Sequence, residues 1–228
     1  MYKRQGKNLF PDSGSYVYAG EGEVMEQRNW HRQTSVHNTV TLDNKNLETT
    51  ESVTKLWQPE GNIQTLVTEN PSYKNFKHRR SVFFVDNTYF VIVDEVSGSS
   101  AKGSVNLHYQ MPKGEIANSR EDMTFLTQFE DGSNMKLQCF GPEGMSMKKE
   151  PGWCSTAYRK RYKRMNVSFN VKKDNENAVR YITVIYPVKK SADAPKFDAK
   201  FKNKTFDENG LEVEVKVNGK KQSLKYKL

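Results

Sequence analysis

The residues best suited to chemistry in this sequence are Asp12 and His37. Asp12 lies in a Phe10-Pro11-Asp12-Ser13-Gly14-Ser15-Tyr16 turn, and His37-Asn38 opens the alternating run Thr39-Val40-Thr41-Leu42. A turn carboxylate and a strand-end imidazole are ordinary metal ligands, or hydrogen-bonding supports for such ligands, once a fold brings them together. Two donors at wide spacing do not define a metal centre, so on residues alone both read as structural hydrogen-bonding groups. Trp30, His31 and Arg32 stand just upstream and form a candidate substrate-binding set. Aromatic rings stack on pyranose faces, and Arg pairs bidentately with carboxylate or sulfate. For Arg32 a structural ion pair weighs equally; Trp30 reads first as core.

A second cluster is Tyr158-Arg159-Lys160-Arg161-Tyr162-Lys163-Arg164. Its first reading is a solvated strand edge, because Lys-rich edges discourage sheet aggregation. A sulfated glycan is the second reading, and single-stranded nucleic acid a distant third. His108, within an alternating run, reads as packed or surface-exposed rather than catalytic.

The elements that must hold these groups are strands. Ser81–Val85 and Thr88–Val93 flank an Asp86-Asn87 turn, which is a hairpin signal. Val105–Met111 alternates strictly, with Val105, Leu107, Tyr109 and Met111 on one face and Asn106, His108 and Gln110 on the other. Further strands are expected at 124–129, 135–140, 165–171, 179–186, 211–217 and, after an Asn218-Gly219 turn, 222–228. Helical periodicity is almost absent. The fold expected is all-β, an antiparallel β-sandwich over 1–190, with 191–228 adding a terminal hairpin after the Ser191–Pro195 linker.

Composition narrows the partners. Among 228 residues, Lys and Arg total 36 against 27 Asp and Glu, a net charge of +9 that attracts polyanions. A mean hydropathy of −0.85 is polar for a compact fold, but the apolar residues are clustered in alternating runs, which favours order. Cys139 and Cys154 have neither redox nor zinc-finger spacing, and separate thiols are preferred to a disulfide. No run is long enough to span a membrane and no signal peptide follows Met1, which taken literally points to the cytosol. The opening residues, Tyr2 to Phe10, instead read like a strand and turn entered midway.

The Phe-Pro-Asp-Ser-Gly-Ser-Tyr turn, with Trp30-His31-Arg32-Gln33-Thr34 and His37-Asn38-Thr39-Val40 and Asp43, resembles the C-terminal β region of heparinase II/III-type polysaccharide lyases. The match is nearest to heparinase III, polysaccharide lyase family 12. The Arg79–Val85 and Tyr89–Glu95 hairpin resembles the same family. His31 departs from the aromatic that many members carry at its position.

This resemblance implies a helical toroid packed against the β region, with a glycan cleft between them. It also implies β-elimination on a uronate-containing glycosaminoglycan, of which heparan sulfate is the expected one. In the family an Asn and a Tyr of the toroid, and a His just ahead of the Pro-Asp-Ser-Gly turn, do the proton chemistry. None has a counterpart here, so no catalytic residue is assigned and the chain alone is expected to be inactive. Asp12 and His37 resemble two ligands of a structural divalent metal in heparinase II relatives, whose third ligand lies upstream. The partners implied are an acidic or sulfated polysaccharide and the toroid, with neither nucleic acid nor membrane, in the periplasm or outside the cell. The alternatives are a stand-alone glycan-binding or structural module, or part of an alginate-type uronate lyase.

Overall fold

A computed structural model describes residues 3–4, 7–98 and 103–228. Within the opening run, Tyr2, Gln5 and Gly6 lie outside that set. The regular structure of the described chain is almost entirely antiparallel sheet, as the turn-punctuated alternation requires. Its strands are β1 (Lys3–Arg4), β2 (Lys7–Asn8), β3 (Val40–Leu42), β4 (Val53–Gln58), β5 (Ile63–Tyr73), β6 (Phe76–Val85), β7 (Tyr89–Ser97), β8 (Gly103–Gln110) and β9 (Ile116–Ser119). They continue with β10 (Thr124–Thr127), β11 (Asn134–Phe140), β12 (Ser146–Ala157), β13 (Lys160–Lys173), β14 (Val179–Val188), β15 (Phe197–Phe201), β16 (Gly210–Val217) and β17 (Lys220–Lys227). One helix, α1 (Gly22–His31), precedes a 3-10 turn at Thr34–Val36.

A central sheet of eight strands runs β4-β5-β6-β7-β14-β11-β10-β9. A sheet of four, β12-β13-β8-β3, covers one face, and a sheet of three, β15-β16-β17, covers the other. The first core joins Ile92, Val96, Leu137 and Tyr181 of the central sheet to Leu107, Tyr109, Val167 and Phe169. The second joins Phe83, Val91, Val93 and Val184 to Leu211, Val213, Val215 and Leu224. Each fully buried Phe, Val or Leu contributes about 1.5–3 kcal/mol. Because β7 and β14 are covered on both faces, they read as continuous apolar runs rather than alternating ones.

The expected hairpin forms between β6 and β7, with Asp86 and Asn87 both at positive φ, the geometry of a tight hairpin turn. Beyond the Ser191–Pro195 segment the chain places three strands, the Asn218-Gly219 hairpin being extended by β15. Helix α1 and strands β4, β5, β9, β12 and β15 lie outside the segments expected from the sequence. Helix α1 is short and has only His31 fully buried, so it carries little periodic signal. Strand β12 contains Pro151 and Gly152, which disguise it, and Pro151 is tolerated because β12 is an edge strand. The polar face of β8 is also buried, because the segment from Thr34 to Asn44 folds over it.

Candidate functional site

The turn at residues 10–17 lies against the β12–β13 edge, and its backbone pairs with that edge strand. Ser155 N donates to Ser13 O at 2.8 Å, and Arg159 N to Tyr16 O at 2.9 Å. Gly14 adopts φ +71°, and a Cβ there would stand 2.2 Å from Ser155 O, so only glycine fits. Arg164 ties the turn down from below. Its Nε donates to Trp153 O at 2.8 Å, Nη1 to Pro11 O at 3.1 Å, and Nη2 to Ser13 Oγ. The solvated-edge reading of the basic run therefore fails at Arg164, whose burial comes with two backbone carbonyls and the Ser13 hydroxyl as acceptors for the guanidinium.

The same turn fixes the loop that carries His37. Ser13 Oγ donates to Val36 O. On the other side of His37, Asn38 is held twice: its Oδ1 accepts Gln110 N at 2.7 Å, and its carbonyl accepts Arg80 Nη1 at 2.6 Å. Arg80 is in turn anchored by Asp94, whose Oδ1 also meets His78 Nε2 at 2.6 Å. Asp94 is fully buried; although desolvation raises its pKa, Arg80 and His78 together hold it lowered, to about 2. Gln110 Nε2 reaches Ser35 O and Asn166 Oδ1, and His108 Nε2 shares a 2.8 Å hydrogen bond with Thr41 Oγ1. Burial lowers the His108 pKa to about 4, so the ring is neutral at physiological pH.

Between these clamps, His37 Nδ1 donates to Asp12 Oδ2 at 2.7 Å, while Asp12 Oδ1 accepts Gly14 N at 2.8 Å. The hydrogen bond from His37 is the main reason that the Asp12 pKa is lowered to about 2. Asp12 is exposed and His37 half-buried, so the pair lies at the surface with His37 Nε2 unpartnered among the described residues. A carboxylate on Nδ1 fixes the orientation of the ring and leaves Nε2 as the atom available for a further hydrogen bond. The two candidate metal ligands thus come together, but onto each other. Among the described residues no group of three His, Cys, Asp or Glu converges, so they do not by themselves make a metal centre.

The candidate substrate set is split by the fold. His31 is buried: its Nδ1 meets Ser13 O at 2.9 Å, its ring stacks on Tyr16, and Trp30 meets it edge-on at 4.9 Å. Desolvation lowers its pKa, and it acts as packing for the 10–17 turn rather than as a surface contact. Trp30 is half-buried and only Arg32 is exposed. Cys139 and Cys154 are separate buried thiols. Ser13, Arg80, Asp94 and Arg164 also build the site; each lies in a segment that the sequence marks, but only the three-dimensional contacts reveal its role. No helix among the described residues is long and apolar enough to cross a membrane.

Known proteins share this architecture. The model of the family "Heparinase II/III-like, C-terminal" matches residues 3–200. A heparin-sulfate lyase of Bacteroides stercoris is 89% identical over 98% of this chain and 33% of its own length. One from Pedobacter heparinus is 34% identical over 96% of the chain and 33% of its length. Among solved structures, the Heparinase III-BT4657 gene product is 99% identical with a TM-score of 0.96, over 98% of this chain and 35% of that one. A heparinase III crystal structure at 32% identity has a TM-score of 0.92 over 98% and 34%. The chain spans about a third of the length of the curated relatives it matches.

Proposed function

This chain belongs to the heparinase II/III-like C-terminal family, and on that premise we propose that it forms the β-sheet wall of the glycan cleft in a heparan-sulfate lyase. The reaction in question is β-elimination. It needs the uronate carboxylate neutralised, the C5 proton removed by a base, and the leaving oxygen protonated by an acid. In this reading a helical part of the enzyme supplies the proton-transfer groups, and this chain supplies a rigid, basic wall with an oriented imidazole. The enzyme works in the periplasm or outside the cell, where its polymeric substrate is met.

The observation that carries the reading is the Asp12–His37 pair. The residues on both sides of His37 are clamped to other elements, yet its Nε2 has no partner among the described residues and the ring stays half-exposed. A loop fixed this tightly around a surface imidazole is what a positioned substrate wall requires. A glycan-binding module without turnover is the second reading, favoured by the unpaired cations nearby.

The two readings separate in a chimera in which this chain replaces the corresponding third of the B. stercoris lyase. His37→Ala in that chimera is expected to lower kcat/KM on heparan sulfate by about 10–100-fold, as loss of an orienting partner does. The same kcat/KM with and without His37 would remove this site from the reaction.

A further inference from the structure

We propose that Arg161, held between the rings of Tyr16 and Trp153, is the centre of a subsite for the sulfate or carboxylate groups of an acidic glycan. The identity of the glycan rests on the lyase reading; the subsite itself rests on four observations.

The first is preorganisation. The Arg161 guanidinium stands 4.1 Å from the Trp153 ring centroid and 5.2 Å from that of Tyr16. Two aromatic faces restrict a side chain that otherwise loses much rotamer entropy on binding, while its edge donors remain available for an anion. The second is uncompensated charge. Arg159, Lys160, Arg161 and Lys163 have no carboxylate partner among the described residues. On the three-stranded sheet, by contrast, Glu214 pairs with Lys200, Lys202 and Lys221, and Asp198 with Lys216.

The third is a stacking platform. Tyr18 and Tyr158, 79% and 57% exposed, lie nearly parallel with ring centroids 6.1 Å apart. Large exposed rings beside cations suit a sugar ring that carries anionic substituents. The fourth is continuity. Lys163, 5.8 Å from the Trp153 ring, also lines a groove of about 400 Å³ with Pro112, Lys149, Pro151 and Met165. The one carboxylate lining that groove, Glu150, is neutralised by Lys148 at 2.7 Å. At the other end, Tyr16 stacks on His31 and belongs to the turn that carries Asp12. The cationic surface and the Asp12–His37 pair are therefore parts of one wall, and a polymer of repeating charge, rather than a single small anion, matches its extent.

Calorimetric titration of this chain with a heparan sulfate oligosaccharide tests the assignment, with thermal unfolding of every variant as the fold control. Arg161→Ala is expected to weaken binding about ten-fold or more, the loss of a charge-assisted hydrogen-bonded pair. Arg161→Lys keeps the charge without the planar fork and should fall between. Tyr18→Ala, which changes no charge, should cost about three-fold or more. Lys225→Ala, one positive charge removed from the three-stranded sheet, should stay within about two-fold.

Equal losses for Arg161→Ala and Lys225→Ala would overturn the subsite, as would no binding at all. Single-stranded DNA bound as tightly, and with the same dependence on Arg161, would also overturn it in favour of a general polyanion surface. The readout does not depend on turnover: an inert chimera with Arg161-dependent binding would remove the lyase reading and leave the subsite standing.

Discussion

Asp12 and His37, 25 residues apart in sequence, are joined by a 2.7 Å hydrogen bond from the imidazole Nδ1 to the carboxylate Oδ2. Neither side chain finds the other by local geometry. Ser13, next to Asp12, binds the carbonyl of Val36, next to His37, and Arg164 holds the Ser13 hydroxyl from the strand below. The pair therefore reports on the docking of the 10–17 turn onto the β12–β13 edge.

That docking has an acid signature. Asp12 is lowered from 3.8 to about 2 by His37, so its contribution to stability is complete above pH 4 and is lost as the pH falls through 2. Asp12→Asn should therefore be less stable than the wild type at pH 5, with the gap closing near pH 2. Because the carboxylate is largely exposed, the gap is at most about 1 kcal/mol. The Asp94 contribution lies in the same window but is common to both proteins and subtracts out. Urea denaturation at both pH values measures the gap; a gap independent of pH would contradict the pairing.

His108 gives an effect in a different window. Burial lowers its pKa from 6.5 to about 4, so between those values the unfolded chain binds the proton that the folded chain refuses. Stability should therefore fall as the pH drops from 6.5 to 4, by up to about 3 kcal/mol from this residue. His31, shifted in the same direction by desolvation, adds to the fall. His108→Gln should flatten the curve over this range, and an equally steep curve in the variant would show that His108 is not the buried neutral group.

Asp94→Asn removes one member of a buried ionic set and leaves Arg80 and His78 without their shared carboxylate. Breaking a buried pair from one side costs about 3–5 kcal/mol. Chemical denaturation should show that loss, and amide exchange should quicken around Asn38, whose carbonyl is bound by Arg80. A loss below about 1 kcal/mol would mean that the set is no better than a surface pair.

Gly14→Ala places a Cβ against Ser155 O in a backbone conformation at φ +71°. The turn must shift, at about 2 kcal/mol or more. The expected result is a lower thermal midpoint together with loss of the downfield histidine NH signal of the Asp12–His37 bond. A variant that kept both would show that the turn is looser than its contacts suggest.

Much of the sheet was legible because local rules act there. The Asp86-Asn87 hairpin and the alternation of Val105–Met111 were set by turn chemistry and side-chain period, and both segments form strands. The proximity of Asp12 and His37 was suggested by resemblance to a family, not by their spacing. The roles of Arg79, Arg80, Arg164 and Arg180 were not legible. Arg79, Arg164 and Arg180 are buried, and Arg80 half-buried, only because distant segments cover them, as when Asp207 and Glu208 carbonyls accept Arg79. His31 stands with Trp30 and Arg32 next to the His37-Asn38 segment, which makes it a substrate candidate, whereas the end of α1 turns it inward onto Ser13. For the polar side of β8 the sequence left packed and surface-exposed both open at His108, because alternation tells two faces apart but not whether a loop will cover the second.

The central claim is that this chain is a cleft wall that acts only with the rest of a lyase. The most direct test is the ultraviolet absorbance of unsaturated uronate released from heparan sulfate, compared for this chain alone and for its chimera with the remaining two-thirds of the B. stercoris lyase. The account predicts product from the chimera and none from the chain alone. Product from the chain alone, or an inert but folded chimera beside an active parent lyase, would contradict it.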